Sequence, residues 1–296
     1  MNHGTIVASF GRQFEVLDAD GTRWLCVTRG KRIDFACGDR VEFKATSDGH
    51  GVIQKAQARD SLLHRSDAFR QKLLAANVTQ ILIVVATEPS FSDELISRCL
   101  CAAEHQHLKA RILLNKADVT AGLDDARRRL AMFTALGYDV IELSAQQDVS
   151  VLKALLADET SVLVGQSGMG KSTLTNALVP EANAPTREIS EALDTGKHTT
   201  TATRLYALPG GGALIDSPGL QAFGLAHLSE DDLLAGFREF APYLGHCRFR
   251  NCKHDTEPGC ALLAALDSGD ISTRRFSHYR LLSSEIHHAR KLVQGY

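Results

Sequence analysis

Residues 165–173, GQSGMGKST, carry the spacing G-x4-G-K-S, which suits a loop that grips phosphate. Gly165, Gly168 and Gly170 let the backbone wrap closely. The N–H groups of the loop, which also contains Gln166, Ser167 and Met169, then face phosphate oxygens together with the start of the following helix at Ser172 and Thr173. Lys171 adds a cation for the β- and γ-phosphates, and the Ser172 hydroxyl suits Mg²⁺. The flanks fit: an apolar run, SVLVG, precedes the loop, and a helical run, STLTNALV, follows it.

Such a loop does not name the base. Asn115, Lys116, Ala117 and Asp118 form NKAD directly after the apolar run RILL. A carboxylate at Asp118 accepts from the N1 and N2 donors of guanine, a pattern adenine lacks, so it selects GTP over ATP. Lys116 would lie along the base, and Asn115 would tie this loop to the phosphate loop. Ser144 and Ala145, in LSAQ after DVIE, read as a companion loop whose backbone N–H meets the guanine carbonyl. An ATP-using enzyme is the alternative, and Asp118 argues against it.

Downstream lie GKHTTT at 196–201 and DSPG at 216–219. Asp216 fits the role of holding Mg²⁺ through water, the Gly219 N–H would face the γ-phosphate, and Thr200 would complete the Mg²⁺ shell. Leu220 stands where Ras-like enzymes keep a water-orienting glutamine, and leucine cannot orient water by hydrogen bonding. His198 is the candidate for that task; the other reading is a histidine that packs the switch in its inactive state.

The seven cysteines divide into two groups. Cys26, Cys37, Cys99 and Cys101 are scattered and read as reduced core residues. Cys247, Cys252, His254 and Cys260 follow the spacing C-x4-C-x-H-x5-C, a closed tetrahedral set that suits one structural Zn²⁺. Arg248, Arg250 and Lys253 interleave with these ligands beside Phe249; they either face RNA or are solvated surface charge.

Positioning these loops requires a parallel sheet. Apolar runs at TQILIVVA, RILLN, DVIELS, SVLVG and ALID, mostly separated by helical segments such as SDELISRCLCAAEHQHL, predict a doubly wound α/β domain with helices on both faces. Ahead of it, TIVASF, QFEVLD, RWLCVT, RVEFKA and GVIQKA alternate apolar and polar residues between glycine turns, which predicts a five-stranded OB-type β-barrel. Its outward residues Arg12, Arg23, Arg29, Lys31, Arg32 and Arg40 either follow an RNA backbone or are plain solvated charge. ARDSLLHRSDAFRQK reads as a polar connector, and from about His227 the pattern is helical around the cysteine cluster. The expected domains are a barrel at 1–64, a GTPase domain at 65–226 and a helical zinc-binding domain at 227–296.

The order of the loops is itself informative. In the usual GTPase the phosphate loop comes first, then the threonine switch, DxxG, NKxD and SA. Here NKAD and SA precede the phosphate loop, so the order is cyclically rotated, and residues 65–164 are the guanine-reading half moved to the front. DSPG then runs directly into the C-terminal helices, which builds a nucleotide switch into a domain joint.

Charge leaves partners open: 33 basic and 35 acidic residues nearly cancel, so a nucleic-acid surface must be a local patch. No apolar run reaches signal-peptide or membrane-span length, so a cytoplasmic protein without membrane association is expected, acting as a monomer.

Together, NKAD, GQSGMGKST, GKHTT, DSPG and CRFRNCKHDTEPGC resemble the ribosome small-subunit-dependent GTPase A family of bacterial circularly permuted GTPases, and the likeness covers nearly the whole chain. The resemblance implies late maturation of the small ribosomal subunit, contact with its rRNA near the decoding region, and GTP hydrolysis stimulated by that subunit. The rival is an RNA-binding assembly factor for which GTP is only a structural ligand. Some relatives carry a basic extension ahead of the barrel, whereas here the first strand begins by about Thr5, which removes any contact made through such an extension from the expectation.

Overall fold

The structure, a computed structural model, describes residues 1–30, 34–67, 70–184, 202–217 and 223–294. Five strands open the chain: β1 (Asn2–Ser9), β2 (Gln13–Asp18), β3 (Arg23–Thr28), β4 (Arg40–Ser47) and β5 (His50–Ala56). They pair in the order β1-β2-β3-β5-β4, with β4 returning to β1 and β3 running parallel to β5. This is a closed five-stranded barrel of the expected OB type. Alternation produces it: Ile6, Phe14, Val16, Cys26, Val41, Phe43 and Ile53 point inward and form one buried cluster. At the β2–β3 turn the Asp18 carboxylate accepts from the backbone N–H groups of Asp20 and Thr22 and from Trp24 Nε1 at 2.7 Å.

The chain then departs from its sequence reading. The polar connector is a two-stranded antiparallel ribbon, β6 (Leu62–Asp67) with β7 (Arg70–Ala76). Its base is buried through Leu63, Leu74, Ala75 and Ala76, and a bridge from Cys37 to Ala75 fixes it to the barrel. Polar residues hid it, because a ribbon pairing with itself needs apolar residues only at the end that packs.

The central sheet contains the parallel strands β8 (Gln80–Ala86), β9 (Lys109–Asn115), β10 (Asp139–Glu142), β11 (Thr160–Val164) and β13 (Ala213–Asp216). All seven residues of β8 are buried, as expected for a strand covered on both faces. The spatial order is β10-β9-β8-β11-β13, so the strand that leads into the phosphate loop sits between strands that precede it and a strand that follows it in the sequence. Helices α1 (Asp93–His105), α2 (Leu123–Ala135), the short α3 (Lys153–Leu156) and α4 (Lys171–Leu178) connect them. The connections through α1 and α2 travel one way from β8 and that through α4 travels the other way from β11; right-handed crossovers therefore place α4 on the face opposite α1 and α2.

Strand β12 (Thr203–Ala207) was not foreseen. It pairs antiparallel with β13 on one side and with β1 of the barrel on the other, so barrel and central sheet form one continuous eleven-stranded sheet. Beyond Leu228 the chain is helical: α5 (Glu230–Ala235), a 3-10 turn at Arg238–Tyr243, α6 (Ala261–Ser268) and α7 (Thr273–Gln294). A capping box starts α5, with the Ser229 side chain accepting from Asp232 N and Asp232 reaching back to Ser229 N. Phe237, Phe240, Phe276 and Tyr279 pack as an aromatic core, with Phe237 and Phe240 stacked at 4.9 Å.

Candidate functional site

The phosphate loop leaves β11 at Val164 and enters α4 at Lys171. Gly165 passes so close to β8 that a Cβ there would lie 2.2 Å from the Val84 carbonyl oxygen, and Gly170 is left-handed at φ 91° with the Asn115 amide 2.3 Å from its missing Cβ. Larger residues at either position would break the loop. No side chain caps α4, which leaves its first-turn N–H groups available to an anion. Met169 is buried, Gln166, Gly168, Ser172 and Thr173 are half-buried, and Ser167 is exposed.

Lys171 Nζ donates to the carbonyls of Gly165 and Gln166, at 2.5 and 2.8 Å. Burial lowers its pKa below the ordinary lysine value, and the Asp216 carboxylate opposes that shift. Asp216 ends β13 almost buried, its Oδ2 accepting from Thr175 Oγ1 at 3.0 Å. Burial raises its pKa, while the Thr175 hydrogen bond and the Lys171 cation pull it down. Burial works against the charge on each group, so a phosphate beside the lysine and a divalent cation beside the aspartate would each favour the charged form. Thr175 is a residue the sequence reading missed. Its signal was its place four residues after Lys171, on the same face of α4.

Asn115 closes β9 and is buried. Its Nδ2 donates to the Met169 carbonyl at 2.9 Å, and its Oδ1 accepts from Ala145 N at 2.9 Å. One amide thus joins the NKAD loop, the phosphate loop and the Ser144–Ala145 loop. Within the last of these, the Ala145 N–H is taken up by Asn115 Oδ1. Ser144 is buried, and its carbonyl accepts from Gln147 N and Asp148 N. Lys116 adopts φ 60° and donates to the Glu88 carbonyl at 2.7 Å, Ala117 N donates to Leu143 O, and Asp118 is exposed. His198, Thr200, Gly219 and Leu220 lie outside the described residues. Between these two undescribed stretches, Thr203 Oγ1 at the start of β12 donates to Ser217 Oγ, just past β13, at 3.0 Å.

A second centre lies in the C-terminal region. The ligand atoms of Cys247, Cys252, His254 and Cys260 all fall within 4.8 Å of one another. Cys247 Sγ is 3.9 Å from Cys260 Sγ and 3.6 Å from His254 Nδ1, which is itself 3.3 Å from Cys260 Sγ. A tetrahedron with Zn–S of about 2.3 Å and Zn–N of about 2.05 Å has S···S edges of about 3.8 Å and S···N edges of about 3.6 Å. The cluster therefore fits a metal ion of that size, with His254 facing it through Nδ1. Ala261 N, at the start of α6, donates to Cys247 Sγ at 3.4 Å. Glu257 organises the loop, accepting from the backbone N–H groups of Lys253, Asp255 and Thr256, and these bonds hold its carboxyl at about 2. Nothing in the spacing of the ligands pointed to Glu257. A cavity of about 830 Å³ opens beside the cluster, lined by Phe249, Arg250, Lys253, Tyr279, Arg280 and His287 among others.

Comparison with known proteins agrees with this geometry. Residues 56–226 match the family model described as RsgA GTPase. The chain is 53% identical over 296 residues to the small ribosomal subunit biogenesis GTPase RsgA of Burkholderia pseudomallei, covering 98% of this chain and 93% of that protein. The protein of the same name from Nitrosospira multiformis is 51% identical over 283 residues, covering 96% and 90%. Among solved structures, YjeQ from Thermotoga maritima superimposes with a TM-score of 0.72 at 28% identity, over 96% of this chain and 98% of that one. YloQ, described as a circularly permuted GTPase, gives 0.69 at 26% identity, over 97% and 96%. With the rotated loop order, the barrel ahead of it and a cysteine–histidine cluster behind it, the chain belongs to the RsgA GTPase family and is a GTP hydrolase.

Proposed function

We propose that this GTPase acts in late maturation of the small ribosomal subunit, binding that subunit and its rRNA and hydrolysing GTP to GDP and phosphate under its stimulation. The names of the relatives support the subunit as partner. The observation that carries the nucleotide half is Asn115, which ties the guanine-reading loop to the phosphate loop through two hydrogen bonds of one buried amide.

In this reading residues 1–64 are an RNA-binding barrel, 65–226 the GTPase domain and 227–296 a helical domain built on one structural Zn²⁺ held by Cys247, Cys252, His254 and Cys260. Asp118 reads the guanine edge, Lys116 covers the base, and the Ser144–Ala145 loop completes the pocket. Gly165, Gln166, Ser167, Gly168, Met169, Gly170, Lys171, Ser172 and Thr173 hold the phosphates, and Gly219 meets the γ-phosphate. Ser172, Thr200 and Asp216 hold Mg²⁺, which when bound neutralises charge on the β- and γ-phosphate oxygens. Thr175 orients the Asp216 carboxylate through its hydroxyl. His198 orients the attacking water, since Leu220 cannot.

In this reading the protein acts in the cytoplasm as a monomer; separately, no described helix is long and apolar enough to cross a membrane. The deciding experiment is GTP turnover measured with and without purified small subunits. Stimulation of 10-fold or more, on the order of one lost 1.4 kcal/mol of barrier, is expected. An equal slow rate in both would leave GTP as a structural ligand and remove the proposal.

A further inference from the structure

Gln166 is held at two points that belong to different parts of the molecule. Its backbone carbonyl accepts from Lys171 Nζ at 2.8 Å, inside the phosphate loop. Its side-chain Oε1 accepts from Ser92 N at 2.8 Å, and Ser92 is the N-cap of α1, its own hydroxyl accepting from Leu95 N at 3.2 Å. The phosphate loop is therefore bonded directly to the start of the helix that begins after β8. No other side chain of the loop from Gly165 to Gly170 makes such a bond among the described residues.

The first two turns of α1 are in turn the seat of α7. Asp93, almost fully buried, pairs with Arg274 of α7 and with Arg129 of α2 at 2.8 Å. Ser97, one turn later and fully buried, accepts from Arg275 Nη1 at 2.6 Å and lies 2.8 Å from His278 Nδ1. Arg98 pairs with Glu94 on its own helix and with Glu285 of α7, both at 2.7 Å. Arg275 is the largest of the fully buried side chains and is neutralised by Glu239 at 2.6 Å, so this docking is specific in geometry and costly to rearrange.

A phosphate in the loop competes with the Gly165 and Gln166 carbonyls for the Lys171 ammonium, because a charged acceptor outbids a neutral one. The peptide at residue 166 then loses one of its two anchors, and the other leads to the cap of α1. We infer that Gln166 is a positioning residue that couples occupancy of the phosphate loop to the docking of α7 on α1, a route to the C-terminal region separate from the switch that follows Asp216. The inference rests on the reading of residues 165–173 as a GTP site.

The test is backbone hydrogen exchange of the full chain, read over α1 and α7 without nucleotide and with saturating GDP or a non-hydrolysable GTP analogue, with affinity measured separately by titration. In the unaltered chain, nucleotide should change exchange in residues 273–285 by about fivefold or more, the low end of ordinary coupling between sites. Gln166→Met, similar in length but without an acceptor, should weaken nucleotide binding by up to about tenfold, the scale of one neutral hydrogen bond. At saturation it should abolish the nucleotide-dependent difference in α7. Arg274→Ala, which removes the pair with Asp93 on α1, should keep the difference in α1 and lose it in α7. A difference in α7 that persists undiminished in Gln166→Met overturns the coupling. So does an unaltered chain that binds nucleotide with no change in α7, or a variant whose exchange rises equally with and without nucleotide, the mark of a merely structural contact. Failure of the unaltered chain to bind any guanine nucleotide in the titration removes the reading of the loop, and the coupling with it.

Discussion

At the scale of single residues the site combines side chains that brace the loops with side chains left open to solvent. Asn115 spends both halves of its amide on neighbouring loops, and Asp118, three residues on, stays exposed at the end of β9. On the proposed function, that contrast gives framework to the first and recognition to the second. Asp118→Asn should weaken GTP binding and favour xanthosine nucleotides, because an amide donates to the carbonyl that xanthine carries in place of guanine's amino group. A competition titration with GTP and xanthosine triphosphate measures this; unchanged preference for GTP would take Asp118 out of base reading. On the proposed function His198→Ala should leave GTP affinity nearly intact and cut subunit-stimulated kcat by roughly 10²-fold, the usual cost of a lost positioning or acid–base group. Stimulated turnover at the unaltered rate would show that another group orients the water. Thr175 and Gln166 mark the limit of reading at this scale. Their partners, Asp216 and Ser92, are 41 and 74 residues away, and no local pattern joins them.

At the scale of elements, what was legible followed from local rules. Barrel strands alternate, the parallel strands are short apolar runs, and the nucleotide loops are specified by residue type at strand ends, so each could be read without its partner. The ribbon β6–β7 and strand β12 could not: TRLYA is five residues long, half-buried to exposed, and becomes a strand only because β13 and β1 offer edges on either side. The cysteine cluster is the opposite case, an element with almost no apolar content whose ligands do carry the signal. Between Leu244 and Cys260 the chain forms no helix or strand, so its order depends on the four ligands and on Glu257 gathering three N–H groups. Metal analysis of the purified chain should find about one zinc per molecule. Cys252→Ser should lose both the metal and the protection of α6 from hydrogen exchange, since Cys260 caps that helix and Ala261 N bonds Cys247 Sγ. Undiminished protection of α6 after exhaustive chelation would sink the structural role.

At the scale of the whole molecule, the continuous sheet makes the barrel and the GTPase core one mechanical body, since β1 shares hydrogen bonds with both the barrel and β12. The C-terminal helices share one apolar core with the central sheet and α1, and buried polar and ionisable groups are set into that joint. The ring of His227, on the segment leading into α5, packs tilted against His64 of the ribbon at 4.8 Å and lies 5.8 Å from His105 of α1, which faces Asp232 at 3.6 Å. The Nδ1 atoms of His227 and His64 are buried without a hydrogen-bond partner among the described residues. Burial first, then the neighbouring histidines, hold His227 down at about 4; burial first, then Arg275, does the same to His278 against Ser97. Both folded-state values lie below the unfolded value of about 6.5, so between pH 6.5 and 4 the unfolded chain binds more protons than the folded one, by up to about one per histidine. Stability should therefore be fully present above about pH 6.5 and fall steadily as pH drops towards 4. His227→Phe separates this from other acid effects. It keeps a ring packed against His64, removes an orphaned nitrogen and cannot charge, so its midpoint at pH 7.5 should match or exceed that of the unaltered chain. Its loss of stability between pH 7 and 5 should be smaller by His227's share. Acid release of metal from the cysteine cluster acts on both chains alike and cancels in the comparison. Thermal midpoints of the two chains recorded across that range decide the matter: parallel curves would mean that the histidine cluster does not govern how the C-terminal helices hold to the rest.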